Sequence, residues 1–322
     1  MSSIEKAIER LEKSKAKKKS EDQAAMEVEP EKVASAEVAQ NQTLASSGPE
    51  EEKPSTRDKT STPEMASTPQ QETIETLGVS SKEPKRINLD YESLSKNGFI
   101  VPHAGNKQLS EEYRIIKRPL IRNALGKGAA PITHGNLVSI SSSLPSEGKT
   151  FTAMNLALSI ATELDTTVLL IDGDVLKYSL SRLLGIENEP GLIDLLSSKK
   201  SRVSDVIIHT QIPRLKLIAA GHRSEKSTEL LASKEMERLL DELSSRYSDR
   251  IIIFDSSPIL ATSEAAVLNQ HMGQILLVVE AGETPVDAIK DSLSRLDQEK
   301  AIGLVLNKSR EDKGSNYYGT YY

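Results

Sequence analysis

The sequence contains no cysteine in its 322 residues, which excludes a disulfide framework and any thiolate metal site and fits a reducing compartment. No apolar run is long enough to span a bilayer, and the N-terminus lacks the apolar core of a secretory leader. Positive charge is not in excess: 41 Lys and Arg face 47 Asp and Glu, a formal net charge of −6. Broad electrostatic capture of nucleic acid is therefore not expected. These absences predict a soluble, cytoplasmic protein whose membrane contact is peripheral or made through a partner. The length leaves room for one or two domains plus a tail.

Aromatic residues are missing altogether between Ser20 and Asp90, where Pro, Ser, Thr, Glu, Gln and Lys dominate. Such a stretch cannot bury enough surface to offset its ordering entropy, so residues 20–90 are predicted to form a disordered linker. As a flexible chain of about 70 residues it reaches roughly 45 Å on average. It tethers residues 1–19 to the rest. Ser2 and Glu5 have capping-box spacing, and Ile4, Ile8 and Leu11 form one stripe, so residues 2–13 read as a short amphipathic helix before lysines at 13, 15, 17, 18 and 19. Two readings stand: a docking helix for a partner or an anionic membrane surface, or a frayed end with a solvated charge run.

The folded body is expected over residues 91–312. Gln108–Arg122 has helical spacing, with Ser110 as a cap, Tyr113, Ile116, Leu120 and Ile121 on one side, and Pro119 as a kink or an end. Glu111, Arg114 and Lys117 recur at every third position on a polar face, and spacing alone reads them as solvated residues with local ion pairs. Strands and helices then alternate. Strands are predicted at Leu137–Ser141, Thr167–Asp172, Leu215–Ala219, Ile251–Asp255, Gln274–Val279 and Gly303–Leu306. Helices are predicted at Thr150–Leu164, Ser179–Leu184, Leu192–Leu196, Ser233–Tyr247, Ser263–His271 and Val286–Glu299. This alternation predicts an α/β fold, a doubly wound, mostly parallel sheet whose ligands bind outside the carboxyl ends of the strands.

The organising stretch is Ser143-Leu-Pro-Ser-Glu-Gly-Lys-Thr150, set between a strand and a helix. Backbone N–H groups of such a loop face phosphate oxygens, with the positive end of the helix dipole behind them. Lys149 reaches the β- and γ-phosphates, and the Thr150 hydroxyl binds Mg²⁺. Only the first position departs from the standard loop, with Ser143 in place of glycine. Two further strands end in carboxylates: Val168–Ile171 runs into Asp172-Gly-Asp174, and Ile251–Phe254 runs into Asp255. Acidic groups beside a triphosphate hold the metal and its water shell and accept a proton from the nucleophile. Asp255 occupies the Walker-B metal position, and Asp172 and Asp174 share a face of their strand.

Two features narrow the class. The second loop position is Leu144, where partition and division-site ATPases carry an extra lysine. Four of the eight tyrosines, Tyr317, Tyr318, Tyr321 and Tyr322, lie in the last six residues, among Gly, Ser and Asn and without a core pattern. Residues 313–322 thus read as a flexible, exposed tail of substrate character, with a sticky or stacking tail as the other reading.

With these residues in place, Gln108 to Tyr322 resembles the bacterial tyrosine autokinases, or BY-kinases, of polysaccharide export, and most closely their soluble, exosortase-associated branch. The resemblance rests on Leu144–Thr150 with its continuation Phe-Thr-Ala-Met-Asn-Leu-Ala157, on Leu170-Ile-Asp-Gly-Asp174, on Asp255, on Ser227-Thr-Glu-Leu-Leu231 and on the terminal tyrosines. The opening residues Ser3–Lys13 share it more loosely. It implies a P-loop NTPase-type kinase using ATP and Mg²⁺ that phosphorylates its own tail in trans within a ring. It assigns nucleotide contacts to Ser146, Glu147, Gly148, Lys149, Thr150, Phe151 and, on the adenine side, Asn307. It assigns the metal to Thr150, Asp172 and Asp255, catalysis to Lys149 and to Asp172 or Asp174, and ring contacts to Glu111, Arg114 and Lys117. The third ring position is lysine here, without arginine's planar fork. Val175-Leu-Lys-Tyr178 replaces the family's arginines and proline, so that only Lys177 supplies a cation there. A transmembrane chain-length-determinant activator and a tyrosine phosphatase are the partners implied. A nucleotide-driven scaffold of an export complex, without protein phosphorylation, keeps the same loop and acids.

Overall fold

The computed structural model describes residues 84–102, 106–198, 201–246 and 250–309. The expected N-terminal helix, most of the linker and the tyrosine tail lie outside the described residues.

In chain order the elements are β1 (Arg86–Ile87), α1 (Tyr91–Lys96), α2 (Lys107–Ala124), β2 (Leu137–Ser142), α3 (Lys149–Ile160), β3 (Thr167–Asp172), α4 (Ser179–Leu183), α5 (Leu192–Ser197), α6 (Val203–Val206), β4 (Ile208–Thr210), β5 (Leu215–Ile218), α7 (Ser227–Leu231), α8 (Lys234–Arg246), β6 (Arg250–Asp255), α9 (Ser263–Gln270), β7 (Gln274–Glu280), α10 (Val286–Ser294) and β8 (Ala301–Asn307). The eight strands form one sheet in the order β1-β4-β5-β3-β6-β2-β7-β8. All six predicted strands are in it. Every pairing is parallel except β4 with β5. Because β1 runs parallel to β4, it runs opposite to the other six strands.

The uninterrupted apolar runs make sense once both faces are covered. Val138, Ile140, Val168, Leu170, Ile251 and Ile253 pack into one cluster with Tyr113, Leu120, Leu156 and Ile160 of α2 and α3. Their neighbours Leu137, Leu169, Ile171, Ile252 and Phe254 pack on the opposite face with Leu192, Leu240, Leu243 and Leu268 of α5, α8 and α9. The period of two is present, hidden because each face meets helices.

Helix α2 differs from expectation at three points. Its cap is Asn106, whose side chain accepts from the N–H groups of Gln108 and Leu109, whereas Ser110 lies inside the helix. Pro119 neither ends nor starts it. Both Pro119 and Ile115, four residues earlier, are exposed, so the carbonyl that the proline leaves without a partner can be hydrated. Lys117 is only 3% exposed rather than on the polar face. The body also starts earlier than Tyr91. Within the segment expected to be disordered, Arg86 and Ile87 pair with His209 and Thr210, Leu89 is buried, and Asp90 caps α1. A two-residue strand whose partner lies more than a hundred residues away leaves no local pattern to read.

Candidate active site

β2 delivers the chain to the loop at its carboxyl end, and α3 carries it away. Gly148 caps α3 at φ 97°, a left-handed conformation that favours glycine. A Cβ there would also lie 2.0 Å from Asn307 Nδ2, so the neighbour and the backbone make the same demand. Ser146, at φ 70°, holds a left-handed position without being glycine. Ser143 is not among the positive-φ residues and is fully buried, which explains why serine is accepted at the first loop position.

The loop is fastened from the ends of β7 and β8. The buried Glu147 carboxylate accepts the Leu144 N–H at 2.7 Å and the Thr284 hydroxyl. Asn307 Nδ2 donates to the Glu147 carbonyl, and Lys308 Nζ donates to the Ser146 carbonyl, each at 2.8 Å. Thr284 itself accepts from the Glu280 N–H at 3.0 Å.

Three carboxylates and one ammonium meet at the carboxyl ends of β3 and β6. Lys149 Nζ is 2.8 Å from Asp174 Oδ2 and 3.9 Å from Asp255 Oδ1. Asp172 and Asp255 are register partners across the two strands. Burial pulls the Lys149 ammonium down, but Asp255 and Asp174 outweigh it and hold its pKa above the ordinary value. For Asp174, burial is overcome by Lys149 and by the Ser257 hydroxyl at 2.9 Å, and its pKa falls. Asp172 is pushed up to about 7 by burial and by the Asp255 charge. Its Oδ2 accepts from the Ser181 hydroxyl at 2.6 Å and the Ser181 N–H at 2.8 Å, while Oδ1 takes only the Asp174 N–H at 3.2 Å. Asp255 is pushed up to about 6 by burial, held back by Lys149 and the nearby Thr150 hydroxyl. Among the described residues neither Asp255 oxygen has a full hydrogen bond.

These residues fit a magnesium–nucleotide. Two buried carboxylate oxygens without partners are costly unless something binds them. Three acids against one ammonium leave an excess of negative charge that a divalent cation offsets. Among the described residues no group of three His, Cys, Asp or Glu side chains forms a cage for a metal. Mg²⁺ beside a nucleotide needs only one or two protein oxygens, with phosphate and water completing its shell. Thr150 and Asp255 would hold it; the oxygens of Asp172 already face Ser181 and Asp174. A cavity of about 290 Å³ between α5, α6 and α8 shares no residue with this cluster.

The structure thus brings together Ser146 through Thr150, Asp172, Asp174, Asp255 and Asn307. Phe151 packs against the core on the α2 and α3 face of the sheet, with its ring centroid 5.0 Å from that of Phe99. Glu111 and Arg114 form an exposed ion pair on α2. Lys117 instead donates to the Ser159 carbonyl at 2.6 Å and pairs with Glu163 at 2.7 Å, so it ties α2 to the end of α3. Tyr317, Tyr318, Tyr321 and Tyr322 lie outside the described residues. Ser181, Ser257, Thr284 and Lys308 were not visible as site residues, since single polar residues in loops carry no periodic signal. Arg223 was missed as well: its guanidinium lies 5.4 Å from the Tyr178 ring, supplying a second cation where the sequence offers only Lys177.

A phosphate loop on a mostly parallel sheet, with acids at adjacent strand ends, defines a P-loop nucleotide-binding domain, and residues 136–298 match the AAA domain family. Tyrosine-protein kinase YwqD of Bacillus subtilis (strain 168) is 32% identical over 216 residues, covering 66% of this chain and 86% of that protein. The chain belongs to the bacterial tyrosine-kinase family. Tyrosine-protein kinase ptk of Acinetobacter johnsonii is 33% identical over 174 residues, 53% of this chain. The chain spans about a quarter of the length of that relative, 23%. The crystal structure of the VpsO kinase domain superposes with a TM-score of 0.52 at 28% identity, over 63% of this chain and 98% of that one. Among the described residues, no helix is long and apolar enough to cross a membrane.

Proposed function

We propose that this chain is an ATP-dependent protein-tyrosine kinase that phosphorylates its own Tyr317, Tyr318, Tyr321 and Tyr322 in trans, within a ring of copies, and so regulates exopolysaccharide polymerisation or export. The observation that carries this reading is the meeting of Lys149 with Asp174 and Asp255, at 2.8 and 3.9 Å, in front of the phosphate loop. The relatives' names supply the acceptor class.

In this mechanism Lys149 leaves Asp174 for the β- and γ-phosphates. Thr150 and Asp255 would hold Mg²⁺, which would offset charge on the phosphates. The tyrosine oxygen of a neighbouring copy attacks the γ-phosphorus in line, and the bond to the ADP oxygen breaks. Asp172 takes the phenolic proton through Oδ1, its loosely held oxygen, which accepts the Asp174 N–H at 3.2 Å. A phenol titrates near pH 10, so the transfer is late in the step. Four phosphates add roughly −6 to −8 charges to the tail. An acidic site repels such a product, which expels the tail and loosens the ring. A transmembrane chain-length-determinant protein activates the kinase, a phosphatase resets it, and it works in the cytoplasm at the inner membrane through that partner.

Mass spectrometry of the tail after incubation with Mg-ATP and a candidate activator tests this. Phosphate on the four tyrosines, absent in Lys149→Met, is expected. ATP turnover with an unmodified tail would make the protein an ATPase scaffold instead.

A further inference from the structure

Asn307 and Lys308 are consecutive residues, and they bind consecutive loop carbonyls, those of Glu147 and Ser146. A trans peptide places its C=O and N–H on opposite sides. Holding the carbonyls of 146 and 147 toward β8 therefore turns the N–H groups of Glu147 and Gly148 the other way, into the concavity of the loop. Among the described residues neither of those N–H groups donates a hydrogen bond. The contact from Lys308 is also charged. An ammonium on a carbonyl oxygen polarises the peptide and makes its N–H a stronger donor. Lys308 is aimed by its own backbone, at φ 57°, and its charge is balanced by Glu280 at 2.9 Å. Glu280 ends β7, so the clamp is anchored in the sheet rather than in a loose loop.

We propose that Lys308, with Glu280 as its counter-charge and Asn307 beside it, is a positioning residue that presets the phosphate loop for a nucleotide di- or triphosphate. The inference rests on the reading of this loop as an ATP site.

Calorimetric titration of the full chain with Mg-ADP tests it. Lys308→Gln removes the charge, and its Kd is expected to rise about five- to tenfold, the worth of one partly exposed charged hydrogen bond. Lys308→Arg keeps a cationic donor and should remain within about twofold of the natural chain. Nucleotide-free melting temperatures of both are expected to stay within about 2 °C, because half-exposed surface contacts contribute little to stability. Glu280→Gln, which leaves Lys308 in place but unbalanced, is expected to weaken binding about two- to threefold. An unchanged Kd in Lys308→Gln overturns the proposal, as does a weakened Kd matched by an equal loss of nucleotide-free stability. If the natural chain fails to bind Mg-ADP, the ATP-site reading itself falls, a result distinct from either.

Discussion

Asp172 and Asp255 stand opposite one another on β3 and β6, both fully buried, and the Asp255 charge raises the proton affinity of Asp172. Their folded-state pKa values, about 7 and about 6, lie above the ordinary carboxylate value of 3.8. Between those limits the native protein binds more protons than the unfolded chain, so stability falls as pH rises. The pair's contribution is complete in acid and is lost as pH passes through about 6 and about 7. The lowered pKa of Asp174 acts in the opposite direction below the ordinary carboxylate range, and those of His209 and His271, lowered by burial, do so below the ordinary histidine value of 6.5. The contribution of the pair is read as the difference between the natural chain and Asp255→Asn, in which the histidines are unchanged: between pH 5 and pH 8 the natural, nucleotide-free chain is expected to lose more melting temperature, or gain less, than the variant. Asp255→Asn is expected to raise the pH 8 melting temperature by about 5 °C. Thermal melts of both proteins across the range check it, and equal pH slopes in the two would contradict it.

Replacing the proposed proton acceptor separates chemistry from binding. Asp172→Asn keeps an acceptor oxygen for Ser181 but cannot take a proton at neutral pH. A loss in kcat of about 10²–10⁴ is expected, with the Kd for Mg-ADP within about twofold. Single-turnover phosphorylation alongside calorimetry distinguishes the two effects. Unchanged kcat would remove Asp172 from the proton step.

Asn307 fills the space that a side chain at position 148 would need. Gly148→Ala brings both a clash and a strained backbone, and is expected to destabilise by about 2–4 kcal/mol. Asn307→Ala vacates the space but leaves the backbone penalty. In a double-mutant cycle the pair is expected to couple by about 1–2 kcal/mol, the second change recovering part of the first. Additive effects would mean that crowding by Asn307 is not what fixes glycine there.

Lys117 is a tie inside the body, and Glu111 and Arg114 are the exposed members of its triplet. Lys117→Ala is expected to cost about 1–3 kcal/mol in denaturant unfolding, since the packing of its buried stem and its charged contacts with Glu163 and the Ser159 carbonyl are lost. Charge reversal at both Glu111 and Arg114 is expected to leave that stability within about 0.5 kcal/mol. If these two form the ring contact, the same reversal alters the sedimenting mass. A Lys117→Ala protein as stable as the natural chain would place Lys117 back on the contact surface.

What could be read from the sequence was what repeats or what stands in sequence order. Six apolar runs gave six strands, and the loop and its acids were legible because strand ends must meet in a doubly wound sheet. Side-chain roles set by distant partners were not. Lys117 has the spacing of a solvated face and becomes internal only because the end of α3 lies beneath it. Ser181 and Ser257 look like loop serines until Asp172 and Asp174 are placed against them. Arg86 and Ile87 are a strand only because β4 reverses direction and offers them an edge.

That reversal has a geometric outcome. A strand antiparallel to β2, β3 and β6 begins at the end where those strands finish, so the polypeptide enters the body on the side of the phosphate loop. It also leaves on that side, through β8. Entrance and exit thus share one pole of the domain at opposite edges of the sheet, and between them they flank the row of strand ends that carries the phosphate loop.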